Sequence, residues 1–144
     1  MHGLADKKVF RVIDANFNRA KEGLRVCEDV ARFVLDQKKC TQGYKKIRHQ
    51  LSNICSLTFK GSLVCARAVE ADVGKKTVVS ELKRRTTKDI FYANSQRVKE
   101  SIRVLEEFFK LVNAHQALAC KKMRYRVYAL ERKVFEKMGR SLRG

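Results

Sequence analysis

The chain has 144 residues, 44% of them hydrophobic, with no proline, seven glycines and five cysteines. That is enough apolar material for one packed domain and excludes a disordered chain, while the missing prolines and few glycines exclude a turn-rich β architecture. The net charge of +18 points to anionic partners, but its basic doublets (Lys38-Lys39, Lys75-Lys76, Lys83-Arg84-Arg85) are distributed along the sequence, which fits a solvated surface and argues against nucleic acid as a partner.

The first periodic segment runs from about Asp6 to Leu35. At about 100° per residue, Ile13, Phe17, Ala20, Leu24, Cys27 and Ala31 share one face. Asp36 to Lys39 interrupts it. Thr41 is the expected cap of a second helix that runs through Ile47 and Leu51 to about Gly61. Leu63 to Thr77 reads as an irregular centre with a turn at Ala71-Asp72-Val73-Gly74, and Val78 to Arg85 as a short helix. Thr87 is the expected cap of a third long helix through Val112, with Asn113 as a left-handed terminator. A fourth helix spans about His115 to Met138 and is closed by Gly139, leaving residues 140–144 as a flexible basic tail.

The sequence repeats itself. Ala15-Asn16-x-x-Arg19-x-Lys21-Glu22-x-x-Arg25-Val26-x-Glu28 returns 78 residues later as Ala93-Asn94-x-x-Arg97-x-Lys99-Glu100-x-x-Arg103-Val104-x-Glu106. A fainter echo follows each copy, Lys45-Lys46-Ile47-Arg48 and Lys121-Lys122-Met123-Arg124. Two copies are too few for a solenoid. The expected fold is all-α: a single domain over residues 1–144 with repeats at 11–60 and 89–138 joined by 61–88. It forms a duplicated helical hairpin of four long antiparallel helices about a pseudo-twofold axis, with a short irregular or helical centre.

Mapped on a helix with Asn16 at zero, Gly23 lies about 20° away, Arg19 about 60°, Glu22 about 120° and Arg25 opposite. Asn16 therefore stands inside the apolar arc and Arg19 on its border. Asn94 and Arg97 repeat the pattern, with Ser101 in place of Gly23. A buried amide or guanidinium must find partners or lose about 1–3 kcal/mol, so the stripe reads as a polar seam, with a small residue beside it to admit a ligand. Glu28, Asp29, Glu106 and Glu107 read instead as surface charge ladders.

No apolar run approaches the roughly 20 residues of a membrane span. The first residues lack the layout of a secretory signal, so a cytoplasmic protein is expected. Cys27, Cys40, Cys55, Cys65 and Cys120 show no C-x-x-C spacing, and His2, His49 and His115 do not cluster. The cysteines read as reduced thiols, and metal ligands stay unassigned. Gly74-Lys75-Lys76-Thr77 resembles a P-loop ending but fails that motif at Val69 and Lys76.

With Asp14-Ala15-Asn16-x-x-Arg19-x-x-Glu22-Gly23-Leu24-Arg25, Arg67, Asp72-Val73-Gly74, Ala93-Asn94-x-x-Arg97-x-x-Glu100-x-x-Arg103 and Lys122-Met123-Arg124-Tyr125 in this order, the chain resembles a known family. It is the alternative hydroxymethylpyrimidine-phosphate kinase, the helical domain often fused to the N-terminus of thiamine-phosphate synthase. The family pattern has an acidic residue soon after the central arginine, where this chain has Ala68-Val69. The resemblance implies phosphorylation of 4-amino-5-hydroxymethyl-2-methylpyrimidine phosphate to its diphosphate, with ATP and Mg²⁺ as cofactors. Arg19, Glu22, Arg97 and Glu100 then stand as catalytic candidates. Asn16, Arg25, Arg67, Asp72, Asn94, Arg103 and Arg124 are the candidates for substrate binding. Implied partners are the phosphorylated pyrimidine and the nucleotide, with a separate thiamine-phosphate synthase and a homo-oligomer left open.

Two competing readings remain. The run Lys121-Lys122-Met123-Arg124-Tyr125-Arg126-Val127-Tyr128 suits a basic helical module for nucleic acid, although no helix-turn-helix, zinc or stacking-platform signature accompanies it. A non-catalytic adaptor for the synthase is the other.

Overall fold

The computed structural model describes residues 4–59 and 84–143, and every regular element among them is helical. α1 spans Leu4–Asp29 and passes into a π-helical turn, Val30–Val34. α2 covers Lys38–Phe59, α3 Thr87–Phe109 and α4 Ala114–Arg143. The expected short helix over Val78 to Arg85, the turn at Asp72-Val73-Gly74, Arg67 and Asp72 lie outside the described residues, except that Arg84 and Arg85 are not helical. No helix among the described residues is long and apolar enough to cross a membrane.

The helix ends differ from the expected caps in ways that follow from their hydrogen bonds. Thr41 caps nothing; it lies inside α2, where its Oγ1 donates to the Gln37 carbonyl at 2.8 Å. The chain turns into α2 through Asp36, whose φ of 52° is left-handed, a conformation that Asp tolerates better than most side chains. Thr86, not Thr87, caps α3. Its Oγ1 accepts from the Asp89 N–H at 3.1 Å while Asp89 Oδ2 accepts from the Thr86 N–H at 3.3 Å, which makes a reciprocal capping box. Asn113 is not left-handed. It opens α4 by accepting from the His115 and Gln116 N–H groups at 3.0 and 3.3 Å. Gly139 does not close α4, which continues to Arg143, so 140–143 is helical where a tail is expected. One glycine costs a helix about 1 kcal/mol, too little to stop it.

The most extensive contact is between α1 and α3, the two helices that carry the repeat. They run antiparallel: Phe17 meets Phe109 edge-on at 5.8 Å, while Gly23 lies against Asn94 and Val98. A Cβ on Gly23 would stand 2.7 Å from Val98 Cγ2 and 3.1 Å from the Asn94 carbonyl, so glycine is what allows the backbones to come this close. The space beside the seam is therefore filled by the neighbouring helix and is not an opening for a ligand. α2 packs on α1, α4 packs on α3, and α2 and α4 touch where Gly43 meets Leu130. A chain of edge-on aromatics, Tyr44 to Phe91 to Phe135, ties α2, α3 and α4 together. The fully buried Tyr44 hydroxyl has no hydrogen-bond partner among the described residues.

The carboxylates expected to form surface ladders divide into two kinds. Glu107 forms one, with Arg103 at 3.1 Å and Lys110 at 3.0 Å. Glu28 and Glu106 are buried and reach across to the next helix, to Arg48 at 3.0 Å and Arg124 at 3.1 Å. The sequence echo that ends in Arg48 and Arg124 thus supplies the partners of the repeated glutamates. The charge is also less evenly distributed than the sequence implies. α1 and α3 are nearly balanced, whereas α2 holds five Lys and Arg and no acid. Helices that alternate along the chain collect in one layer, and the charge collects with them.

Candidate functional site

The rotation of α1 and α3 is fixed by what they touch. On α1, Glu28 faces α2 and Gly23 faces α3. On α3, Ser95, Lys99 and Glu106 face α4. At about 100° per residue, Arg19 and Val26 then fall on the flank of α1 away from α2, and Arg97 and Val104 on the flank of α3 away from α4. Because the helices are antiparallel and their residues correspond, both flanks look to the same side. They form one shallow face with half-buried Val12, Val26 and Val104 beneath the two arginines.

Asn16 and Asn94 stand at the inner edge of this face. Asn16 is only 3% exposed, and its Nδ2 donates to the Val12 carbonyl at 2.8 Å. Asn94 is half-buried and donates to the Ile90 carbonyl at the same 2.8 Å. Each amide thereby has its orientation set by its own helix and keeps a carbonyl oxygen and a second N–H for something else. Arg19 and Arg97 are exposed, so no guanidinium is buried in the seam. Their long side chains leave the apolar border for water. Neither makes an ion pair among the described residues.

The remaining candidates sit elsewhere. Glu100, Arg103 and Arg124 line a groove of about 380 Å³ on the outer side of α3 and α4, together with Gln96, Lys99 and Tyr128. Glu22 and Arg25 are exposed on the corresponding outer side of α1. The described candidates are thus divided between the flank (Asn16, Arg19, Asn94, Arg97), the outer groove (Glu100, Arg103, Arg124) and the outer side of α1 (Glu22, Arg25). Electrostatics separates the two places. Lys99 is held by Glu131 at 2.9 Å, Arg124 by Glu106, and Arg103 by Glu106 and Glu107 at 3.6 and 3.1 Å. A phosphate entering the groove would have to displace carboxylates already in place, whereas the flank arginines have no ion pair among the described residues. Arg124 serves first as the partner of a buried acid.

One difference between the copies is that Phe17 corresponds to Ser95. Ser95 Oγ, fully buried, donates to Glu131 Oε2 at 2.5 Å, and Lys99 stands over the Tyr128 ring at 4.8 Å. Sequence reasoning gave Ser95, Lys99 and Glu131 no site role and placed Tyr128 only in the basic run considered for nucleic acid. The available signal was the polar replacement of an aromatic at an equivalent position, which demands a polar partner nearby. No group of three or more His, Cys, Asp or Glu side chains placed to hold a metal occurs among the described residues.

Comparison with known proteins now bears on this geometry. The ThiD2 family model matches residues 11–133, so the chain belongs to the ThiD2 family. It is 40% identical over 124 residues to the thiamine-phosphate synthase of Nostoc punctiforme, covering 85% of this chain and 34% of that protein. The thiamine-phosphate synthase of Synechocystis is 40% identical over 124 residues, 85% of this chain and 35% of that one. That of Rhodopirellula baltica is 33% identical over 139 residues, 96% and 37%. The chain spans about a third of the length of these curated relatives. No solved structure matches it.

Proposed function

We propose that this member of the ThiD2 family acts in thiamine biosynthesis as an ATP-dependent kinase. Its reaction converts 4-amino-5-hydroxymethyl-2-methylpyrimidine phosphate to the diphosphate. The observation that carries the reading is the flank of the α1/α3 pair, where each helix presents an amide of fixed orientation one turn from an arginine with no ion pair among the described residues. An aminopyrimidine asks for a group that both donates and accepts, which Asn16 and Asn94 provide. Transferred and accepting phosphates ask for planar, permanently charged donors, which Arg19 and Arg97 provide. Half-buried Val12, Val26 and Val104 form an apolar floor suited to the ring and its methyl group.

In this reaction an oxygen of the substrate phosphate attacks the γ-phosphorus of ATP, and the bond to the ADP bridging oxygen breaks. A phosphate monoester has a second pKa of about 6 and is already a dianion at neutral pH. No side chain therefore has to remove a proton from the nucleophile. What the reaction requires is charge neutralisation between two polyanions and in-line alignment. Arg19 and Arg97, on opposite helices of one face, suit that requirement: one clamps the acceptor phosphate and the other the nucleotide phosphates. The described residues offer no cluster fit to hold Mg²⁺ by themselves, so Mg²⁺ enters this reading as part of the nucleotide, held chiefly by its phosphates and water. Glu22 and Glu100 would meet such an ion directly or through water, and Arg67 and Asp72 remain proposed substrate ligands.

The test is formation of the pyrimidine diphosphate by the purified chain, followed by mass spectrometry, for the parent and for Arg19→Ala, Arg97→Ala and Asn16→Ala. Each variant is expected to lose at least about 100-fold in kcat/KM, corresponding to about 2.7 kcal/mol of transition-state stabilisation. Near-native rates in all three would remove the flank as the active site. Absence of heat on titration with either ATP or the phosphorylated pyrimidine would support a non-catalytic adaptor instead.

A further inference from the structure

We propose that the groove between α2 and α4, on the side of the molecule away from the α1/α3 flank, is a nucleic-acid-binding surface that engages the phosphodiester backbone without regard to sequence. Charge is partitioned between the two layers. α1 and α3 carry ten Lys and Arg against nine Asp and Glu, while α2 and α4 carry fourteen against two. Of those two acids, Glu131 is turned inward onto Ser95 and Lys99, and Glu136 approaches Arg132 at 3.6 Å. The groove itself holds about 470 Å³ and is lined by Gln50, His115, Leu118, Ala119, Lys122 and Arg126, with no carboxylate.

The register of α2 on α4 extends the groove. Contacts of Gly43 with Leu130 and of Gln50 with Arg126 fix which edges of α2 and α4 face each other. At about 100° per residue, Lys39 and Lys46 continue the groove on α2, and Lys133 and Lys137 continue it on α4. Lys39, Lys46, Lys122, Lys133 and Lys137 make no ion pair among the described residues, and Arg126 bonds only the neutral Gln50. From Lys122 to Lys137, α4 rises about 22 Å at 1.5 Å per residue. Phosphates follow one another at about 3.4 Å per strand along a duplex, so this length faces about six of them. Six cations border this track and match such a polymer in number and spacing, with one exposed acid, Glu136, beside its Lys133–Lys137 end and 3.6 Å from Arg132.

The other polyanionic partners fit less well. An acidic membrane surface is held by an apolar stripe as well as by charge, yet the large exposed apolar side chains of α2 and α4 are Leu57, Leu118, Tyr125 and Tyr128, which form no stripe. An acidic protein needs an apolar centre to its interface, and the groove offers only Leu118 and Ala119.

The experiment uses the full chain and fluorescence anisotropy with labelled 20-nucleotide single-stranded RNA and 20-base-pair DNA of unrelated sequence, across a salt series. Six contacts predict a slope of log K against log[salt] of about −4 to −5, with micromolar Kd at physiological salt. Two paired neutralisations, Lys46→Gln with Lys122→Gln and Arg126→Gln with Lys133→Gln, should each reduce the slope by about 1.5 and weaken binding at least tenfold at low salt. A pair of the same net charge on the other layer, Lys8→Gln with Arg11→Gln, should change it by less than about twofold. Equal losses in both layers would overturn the proposal, because they would reduce it to overall net charge. So would anionic phosphatidylserine vesicles or polyglutamate binding the chain while neither nucleic acid does. Circular dichroism of each variant, whose substitutions are all on exposed side chains, separates loss of binding from loss of fold.

Discussion

Replacing Gly23 by alanine should destabilise the protein, although alanine is the better helix former. In an open helix the change would gain about 0.5–1 kcal/mol. Here the new Cβ would lie 2.7 Å from Val98 Cγ2 and 3.1 Å from the Asn94 carbonyl oxygen. Val98 is fully buried and β-branched, so it has no second rotamer to retreat into. The carbonyl is backbone and can move only if α3 moves. Overpacking of this kind costs about 1–3 kcal/mol, which leaves a net loss of about 1–2 kcal/mol. With a urea m-value of about 2 kcal/mol/M, the midpoint should fall by about 0.5–1 M at unchanged m. Gly139→Ala is the matched control, since a Cβ there meets nothing within 4 Å, and it should stabilise by about 0.5–1 kcal/mol. Combining Gly23→Ala with Val98→Ala should cost less than the sum of the single changes by about 1 kcal/mol. If Gly23→Ala stabilises as much as Gly139→Ala, the close crossing of α1 and α3 is wrong.

Further expectations concern the buried polar groups. Arg124→Ala should lower stability by about 2–4 kcal/mol in chemical denaturation, because it leaves the Glu106 carboxylate buried without its cross-helix partner, and adding Glu106→Gln should recover part of the loss. Tyr44→Phe should raise stability by up to about 1–2 kcal/mol, since it removes a buried hydroxyl that no described residue satisfies; a loss of more than 1 kcal/mol would mean that the hydroxyl has a partner. Burial pushes the Cys27 thiol up to about 12 from an ordinary 9.0, with the Glu131 carboxylate adding to the effect, and burial does the same to Cys120 beside Glu106. Protonated thiol is thus favoured in the fold: their contribution is fully present below pH 9 and is lost between pH 9 and about 12 as the unfolded thiols ionise. Thermal melts should therefore fall over that window, and less steeply for Cys27→Ala; an unchanged slope in the variant would contradict the assignment.

Much of the fold was legible because helical periodicity and the repeat are properties of residue order. Asn16 inside an apolar arc is a statement about angles, and the fold preserves angles. The helix caps were less legible, since Thr86 and Thr87 look alike and only the bond to Asp89 tells them apart. Asn113 has the residue type of a terminator but serves as an initiator, for the same reason. The space beside Gly23 was misjudged because a single helix cannot show that Val98 will fill it. The partners of Glu28 and Glu106 were in view as the Arg48 and Arg124 echo, yet pairing is a property of two helices. The charge partition is likewise a property of layers, which linear order conceals.

The tightest helix pair joins the two halves of the chain, with Gly23 from one and Val98 from the other. Either helix of this pair alone would leave its inner face bare. The repeat places Ala20 where Val98 stands, and Ala20 is too small to fill the hollow at Gly23. A pair made of two identical first halves would therefore leave a void at its centre, whereas the unlike pair closes. Divergence between the copies has turned a surface that any twin could share into one that recognises its own other half.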